Sequence, residues 1–117
     1  MTGKSEIDLL IEEAQAEEKY FKNYKFWARK IKKEAEKVLG KIKVFVFGSI
    51  LRKEEVPQDI DILIISSKLK NSEIKSKIQA EIWKKMGFLA PFEIHLITPK
   101  EYDDWYKNFI EKEKVEI

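Results

Sequence analysis

The chain has no cysteine among its 117 residues. Disulfide staples and thiolate metal sites are therefore excluded. It has a single histidine, His95, and only two arginines, Arg29 and Arg52, so its basic character is almost entirely lysine. Net charge is only +2 although 38% of the residues are charged. That balance lacks the basic excess with which a DNA- or RNA-binding protein neutralises phosphates, and there is no strong nucleic-acid signal. No apolar run approaches the ~20 residues that span a bilayer, and Met1-Thr2-Gly3-Lys4 leads into no signal-peptide core. A cytoplasmic location away from any membrane is the expectation. Internal repeats and low-complexity linkers are absent as well.

What is present suits one small domain. The length supports a single core over 1–117, with an N-terminal helical segment at 5–39 and the sheet-bearing core at 40–117, and is too short for a separate substrate domain. Ser5 with Asp8 three positions later reads as a capping box. Helical spacing then runs through Ile7, Leu10, Ala14, Tyr20, Tyr24, Trp27, Ile31, Ala35 and Val38, and Gly40 is a natural stop. One long helix or two, bent near Asn23, is expected. Segments 42–47, 60–66 and 92–97 carry the β-branched and aromatic content of strands. Between the last two, Ile74, Ile78, Ile82 and Met86 fall on one helical face. Thr98-Pro99-Lys100-Glu101 is a second capping box with proline at the first helical position, opening a helix to about Phe109 on which Trp105 and Tyr106 would pack against the sheet. The charged stretch 110–117 ends in a short strand or a frayed tail. The expected architecture is α/β (α+β), a small mixed sheet with helices mainly on one face.

The most informative stretch is VFVFGSILRKEEVPQDIDILII, from Val44 to Ile65. A strand leads into Gly48-Ser49, then a charged loop, then a second strand opening on Asp59-Ile60-Asp61. Strand alternation sends Asp59 and Asp61 to one face, and like charges so close call for a shared proton, a cationic side chain or a divalent metal. Gly48-Ser49 suits a turn where backbone approaches phosphate, with Ser49 as hydroxyl donor at the start of a short helix. Arg52 and Lys53, just beyond, are candidates for the outer phosphates. In Phe92-Glu93-Ile94-His95-Leu96, Glu93 and His95 share the polar face. Glu93 completes a carboxylate triad if this strand lies beside the aspartates. Three hard oxygen ligands in a chain with no thiol and one imidazole favour Mg²⁺ or Mn²⁺ over Zn²⁺. His95 reads as a residue at the edge of the site. The alternatives are that Asp59 and Asp61 are a strand-start turn and a lysine-paired surface residue, that Glu93 pairs with a neighbouring lysine, that Ser49 is a helix cap alone, and that Arg52 and Lys53 are solvated loop charges.

Gly-Ser, nine residues, then Asp-x-Asp in an apolar strand resembles the DNA polymerase beta-like nucleotidyltransferase superfamily. The chain is most similar to its minimal nucleotidyltransferases of archaeal type, and the likeness extends over FGS, QDIDILIIS and FEIHLITPKEYDDWY. Gln58 stands where the family often has serine, a departure that touches no expected ligand. The resemblance implies the nucleotidyltransferase fold, with Asp59, Asp61 and Glu93 as catalytic metal ligands and a metal-bound nucleoside triphosphate, ATP, as substrate. It also implies transfer of AMP to a hydroxyl, a tyrosine of a helical HEPN toxin, with this chain as antitoxin. The alternative is a catalytically weak or inactive antitoxin that acts by complex formation. Residues 5–39 carry more apolar surface than one face on a small sheet can cover. A helical partner or a homodimer is expected there.

Overall fold

The computed structural model describes residues 5–87, 90–110 and 113–117. The Met1–Lys4 lead lies outside them. The capping box at Ser5 opens α1 (Glu6–Lys22): the Asp8 amide donates to the Ser5 hydroxyl and the Ser5 amide to the Asp8 carboxylate. Asn23 ends it, donating from both its main-chain and its side-chain nitrogen to the Lys19 carbonyl. The helical segment is thus two helices. The second, α2 (Tyr24–Leu39), buries Ala28, Ile31, Ala35 and Leu39. That spacing of three and four keeps one stripe on the core. Gly40 closes α2 at φ 72, a left-handed value that an L side chain resists.

The sheet is built from β1 (Lys43–Phe47), β2 (Ile60–Ile65), β3 (Phe92–Ile97) and β4 (Lys114–Glu116), in the order β3-β2-β1-β4. The β1 strand is antiparallel to both β2 and β4, whereas β2 and β3 are parallel. The crossover joining the parallel pair contains α3 (Ser72–Met86), capped by the Asn71 side chain and buried through Ile78, Ile82 and Met86. Its polar–apolar pattern is the one its sequence predicts.

Alternation divides the sheet into two unlike faces. Val44, Val46, Ile60, Ile62 and Ile64 join α2 and α3 in the main core. Phe45, Phe47, Leu63, Ile65 and Ile97 point the other way, into a smaller cluster closed by Ile110. Because both faces are covered along most of β1 and β2, these strands read as unbroken apolar runs.

The cover on the second face is a helical segment made of α4 (Pro99–Glu101), a π-helical turn (Tyr102–Tyr106) and α5 (Lys107–Ile110). The Thr98 capping box starts it. Tyr102 stacks on Phe45 at 5.9 Å between ring centres and 10° between planes, and Lys114 Nζ donates to its hydroxyl at 2.8 Å. Tyr106 also packs against this cluster. Trp105 does not pack onto the sheet as the sequence suggested, for it is 75% exposed. Tyr102, Tyr106 and Ile110 form the stripe that meets the sheet, and Trp105 lies on the neighbouring stripe with Phe109. The chain end is a strand, with the Ile117 amide bonded to the Val44 carbonyl.

Replacing Ile62, fully buried beneath α2 and α3, with alanine is expected to cost about 2–5 kcal/mol. Thr98→Ala, which removes one capping box, should cost about 1 kcal/mol. Urea denaturation of the two variants measures both.

Candidate active site

The end of β1 is the starting point. Phe47 pairs with Asp61 across the antiparallel ladder, and the chain then turns at Gly48. Gly48 has φ 86 and ψ −155, a region essentially reserved for glycine. A Cβ at this position would lie 2.5 Å from Asp61 Oδ2. Glycine is thus required twice, for the backbone angle and for the carboxylate beside it. A 3₁₀ turn, Ser49–Leu51, follows, with the Leu51 amide bonded to the Gly48 carbonyl.

Parallel pairing of β2 with β3 then sets the acidic group. Asp61 lies opposite Glu93 and Leu63 opposite His95, so Glu93 and His95 share the face of Asp61. Donor atoms of Asp61, Glu93 and His95 all lie within 4.8 Å of one another. His95 Nε2 is 3.4 Å from Asp61 Oδ1 and 3.8 Å from Glu93 Oε1. Its Nδ1 is 3.5 Å from the Tyr106 hydroxyl. Nε2 thus faces Asp61 and Glu93, and Nδ1 faces the Tyr106 hydroxyl.

The two carboxylates oppose each other's ionisation. Glu93 is raised above the usual carboxylate range, first by desolvation, then by a hydrogen bond with Asp61 and by its charge. His95 pulls in the opposite direction, and Asp59 adds to the increase. A cation placed among these groups would offset the charges of Asp61 and Asp59 that bear on Glu93.

Of the residues singled out in the sequence, the structure brings Gly48, Ser49, Arg52 and Asp61 together around one cavity of about 330 Å³, with Phe109 and Glu113 on its far wall. Glu93 adjoins it through Asp61. Asp59 is exposed and one residue outside the β2 ladder, which begins with the Ile60 amide bonded to the Pro91 carbonyl. It acts on Glu93 by charge but is not among the three residues whose donor atoms converge. Arg52 is already engaged, its Nε 2.7 Å from Glu113 and its Nη1 3.1 Å from Glu55. Both carboxylates hold its guanidinium more firmly protonated. Lys53 is exposed in the following turn. His95 belongs at the centre of the group rather than at its edge. Its position two residues beyond Glu93 on one strand was the available signal. Glu113 and Phe109 carried no such signal.

The profile of the family described as nucleotidyltransferase domain matches residues 28–117. The chain belongs to that family. It is similar to a crystal structure described as a candidate nucleotidyltransferase, at 28% identity and TM-score 0.60, over 74% of this chain and 95% of the other. A second, a candidate nucleotidyltransferase from Sulfolobus solfataricus, is 19% identical with TM-score 0.56, over 99% of this chain and 90% of the other, and speaks for the fold alone. No curated protein matches the chain significantly. Among the described residues, no helix is long and apolar enough to cross a membrane.

Two outcomes follow from this geometry. Gly48→Ala should lower stability by roughly 1–3 kcal/mol through backbone strain alone. Displacement of Asp61 should also weaken Mn²⁺ binding measured by calorimetry. Glu93→Gln should do the opposite to the metal-free protein. Because folding raises the Glu93 pKa, the stability tied to its protonated form is present below about pH 4 and is lost as pH rises through the folded value. The glutamine variant should therefore melt higher than wild type at pH 7 without metal. The difference should shrink toward pH 4 and reverse when Mn²⁺ is added.

Proposed function

We propose that this chain transfers a nucleoside monophosphate, AMP from ATP, to a hydroxyl acceptor, whose oxygen bonds the α-phosphorus as the proton is lost and pyrophosphate leaves. The family assignment supports nucleotidyl transfer in general. The observation that carries the finer reading is the convergence of Asp61, Glu93 and His95 beside the Gly48-Ser49 turn. Two carboxylates and one imidazole, without thiolate, fit Mg²⁺ or Mn²⁺, and the imidazole shifts the balance toward Mn²⁺. Asp61 and Glu93 would hold the ion, with Asp59 joining from the mouth of the site. A divalent ion so held makes an acceptor hydroxyl more acidic and offsets charge on the phosphates.

The chain's own residues do the rest. Gly48 removes the side chain that would keep a phosphate from the backbone, and the Ser49 hydroxyl donates to it. Arg52 offers its guanidinium once the outer phosphates compete with Glu55 and Glu113 for it. Those exposed pairs are weak enough to exchange. His95 steadies the Asp61 carboxylate by a hydrogen bond and is itself steadied by Tyr106.

The acceptor in this reading is a tyrosine of a helical HEPN-type partner, and the setting is a cytoplasmic toxin–antitoxin pair. A second reading, binding with little catalysis, is favoured by α1. There Ile7 and Leu10 are 69% and 63% exposed, and Leu9 and Ile11 are also open to solvent. Such a surface suits a partner helix or a second copy of this chain. Incubating the chain with radiolabelled ATP, Mn²⁺ and the product of the neighbouring gene separates the two. Label should appear on the partner and fall by about 100-fold or more with Asp61→Asn. Complex formation without label in the wild type would support the binding reading.

A further inference from the structure

Beside the acidic group lies a second cavity, of about 540 Å³, that nucleotidyl transfer in general leaves without a role. It is lined by Phe47, His95, Glu101, Trp105, Tyr106 and Phe109. Its back wall is aromatic: the His95 ring is 5.3 Å from Phe47 and 6.0 Å from Tyr106, tilted or edge-on to each. Trp105 and Phe109, four residues apart, are 75% and 79% exposed. Two large rings left in water next to a recess are an unspent stacking surface. They stand on or beside the π-helical turn Tyr102–Tyr106, a local irregularity that recurs at functional sites.

Two further observations say what would fill the recess. It adjoins the cavity at Gly48 and Ser49, since Phe47 and Phe109 line both. Asp61 stands at the boundary, lining the Gly48 cavity while contacting His95 of the aromatic recess. The two halves also differ in charge. The Gly48 side holds Arg52, whereas among the described residues the aromatic side is lined by no lysine or arginine and by one carboxylate, Glu101. Phosphates belong on the first side. A flat, uncharged ring bearing hydrogen-bond donors belongs on the second, where Glu101 retains acceptor capacity beyond its bonds to the Thr98 amide and hydroxyl.

We propose that the aromatic recess is the nucleobase subsite, with the base of the donor nucleotide against Trp105 and Phe109 while its phosphates lie at Gly48-Ser49. The assignment rests on the nucleotidyl-transfer reading and adds the direction in which the nucleotide lies. Stacking on aromatic rings tolerates any base. Selection among bases then falls to Glu101, which suits rings carrying an exocyclic amine.

The test uses ATP and inorganic tripolyphosphate as probes, each titrated calorimetrically with Mn²⁺ into the full chain. Wild type should bind ATP about tenfold more tightly than tripolyphosphate. Trp105→Ala, at an exposed position outside the phosphate cavity, should remove that advantage and leave tripolyphosphate affinity unchanged. Trp105→Phe should restore most of it. Equal affinity of wild type for the two probes overturns the subsite and leaves nucleotidyl transfer standing. Failure to bind either probe overturns both. Unchanged ATP affinity in Trp105→Ala with impaired labelling of the partner would place the acceptor, not the base, in the recess, and overturns the proposal.

Discussion

The repulsion between Asp61 and Glu93 is the constraint on which the rest of the molecule depends. Parallel register sets them opposite each other on adjacent strands, where partial desolvation and the Asp61 charge raise the Glu93 pKa. Isolated strands would separate or slip to avoid this. They cannot here, because Ile60, Ile62 and Ile64 on the reverse face are buried under α2 and α3. A slip of one residue would turn those isoleucines outward. The apolar core therefore fixes two like charges side by side, an arrangement that a cation would relieve.

The surrounding parts relate to this pair in different ways. Gly48 is the residue that makes room for it, since any side chain would collide with Asp61. His95 gives Asp61 a partner, and Tyr106 in turn gives His95 one. The C-terminal helical segment holds Tyr106 in place by seating Tyr102 on Phe45. The same segment leaves Trp105 and Phe109 facing the site's aromatic side. Opposite, Arg52 is kept near Gly48 by Glu113, 61 residues away in sequence. Arg52 is held there in ion pairs with both Glu55 and Glu113.

Local chemistry made much of this legible in the sequence. Both capping boxes, the break at Asn23, the stop at Gly40 and the three main strands depend on neighbours within four residues or on simple alternation. The contacts that escaped sequence reading are those between distant segments. Asp59 and Asp61 look equivalent in D-x-D, yet the ladder begins at Ile60 and leaves Asp59 outside it. Arg52 looked free for phosphate, but its partner Glu113 comes from the far end of the chain. Trp105 looked like core because α-helical spacing does not reveal which of two adjacent apolar stripes meets the sheet. Tyr102, Tyr106 and Ile110 took that place.

A crystal grown with Mn²⁺ and a non-hydrolysable ATP analogue, and measured for anomalous scattering from manganese, tests the central claim most directly. The account predicts a manganese peak bonded to carboxylate oxygens of both Asp61 and Glu93, with the phosphates at Gly48 and Ser49. Manganese bound elsewhere, or nucleotide bound with Asp61 and Glu93 still facing each other and no metal between them, would contradict it.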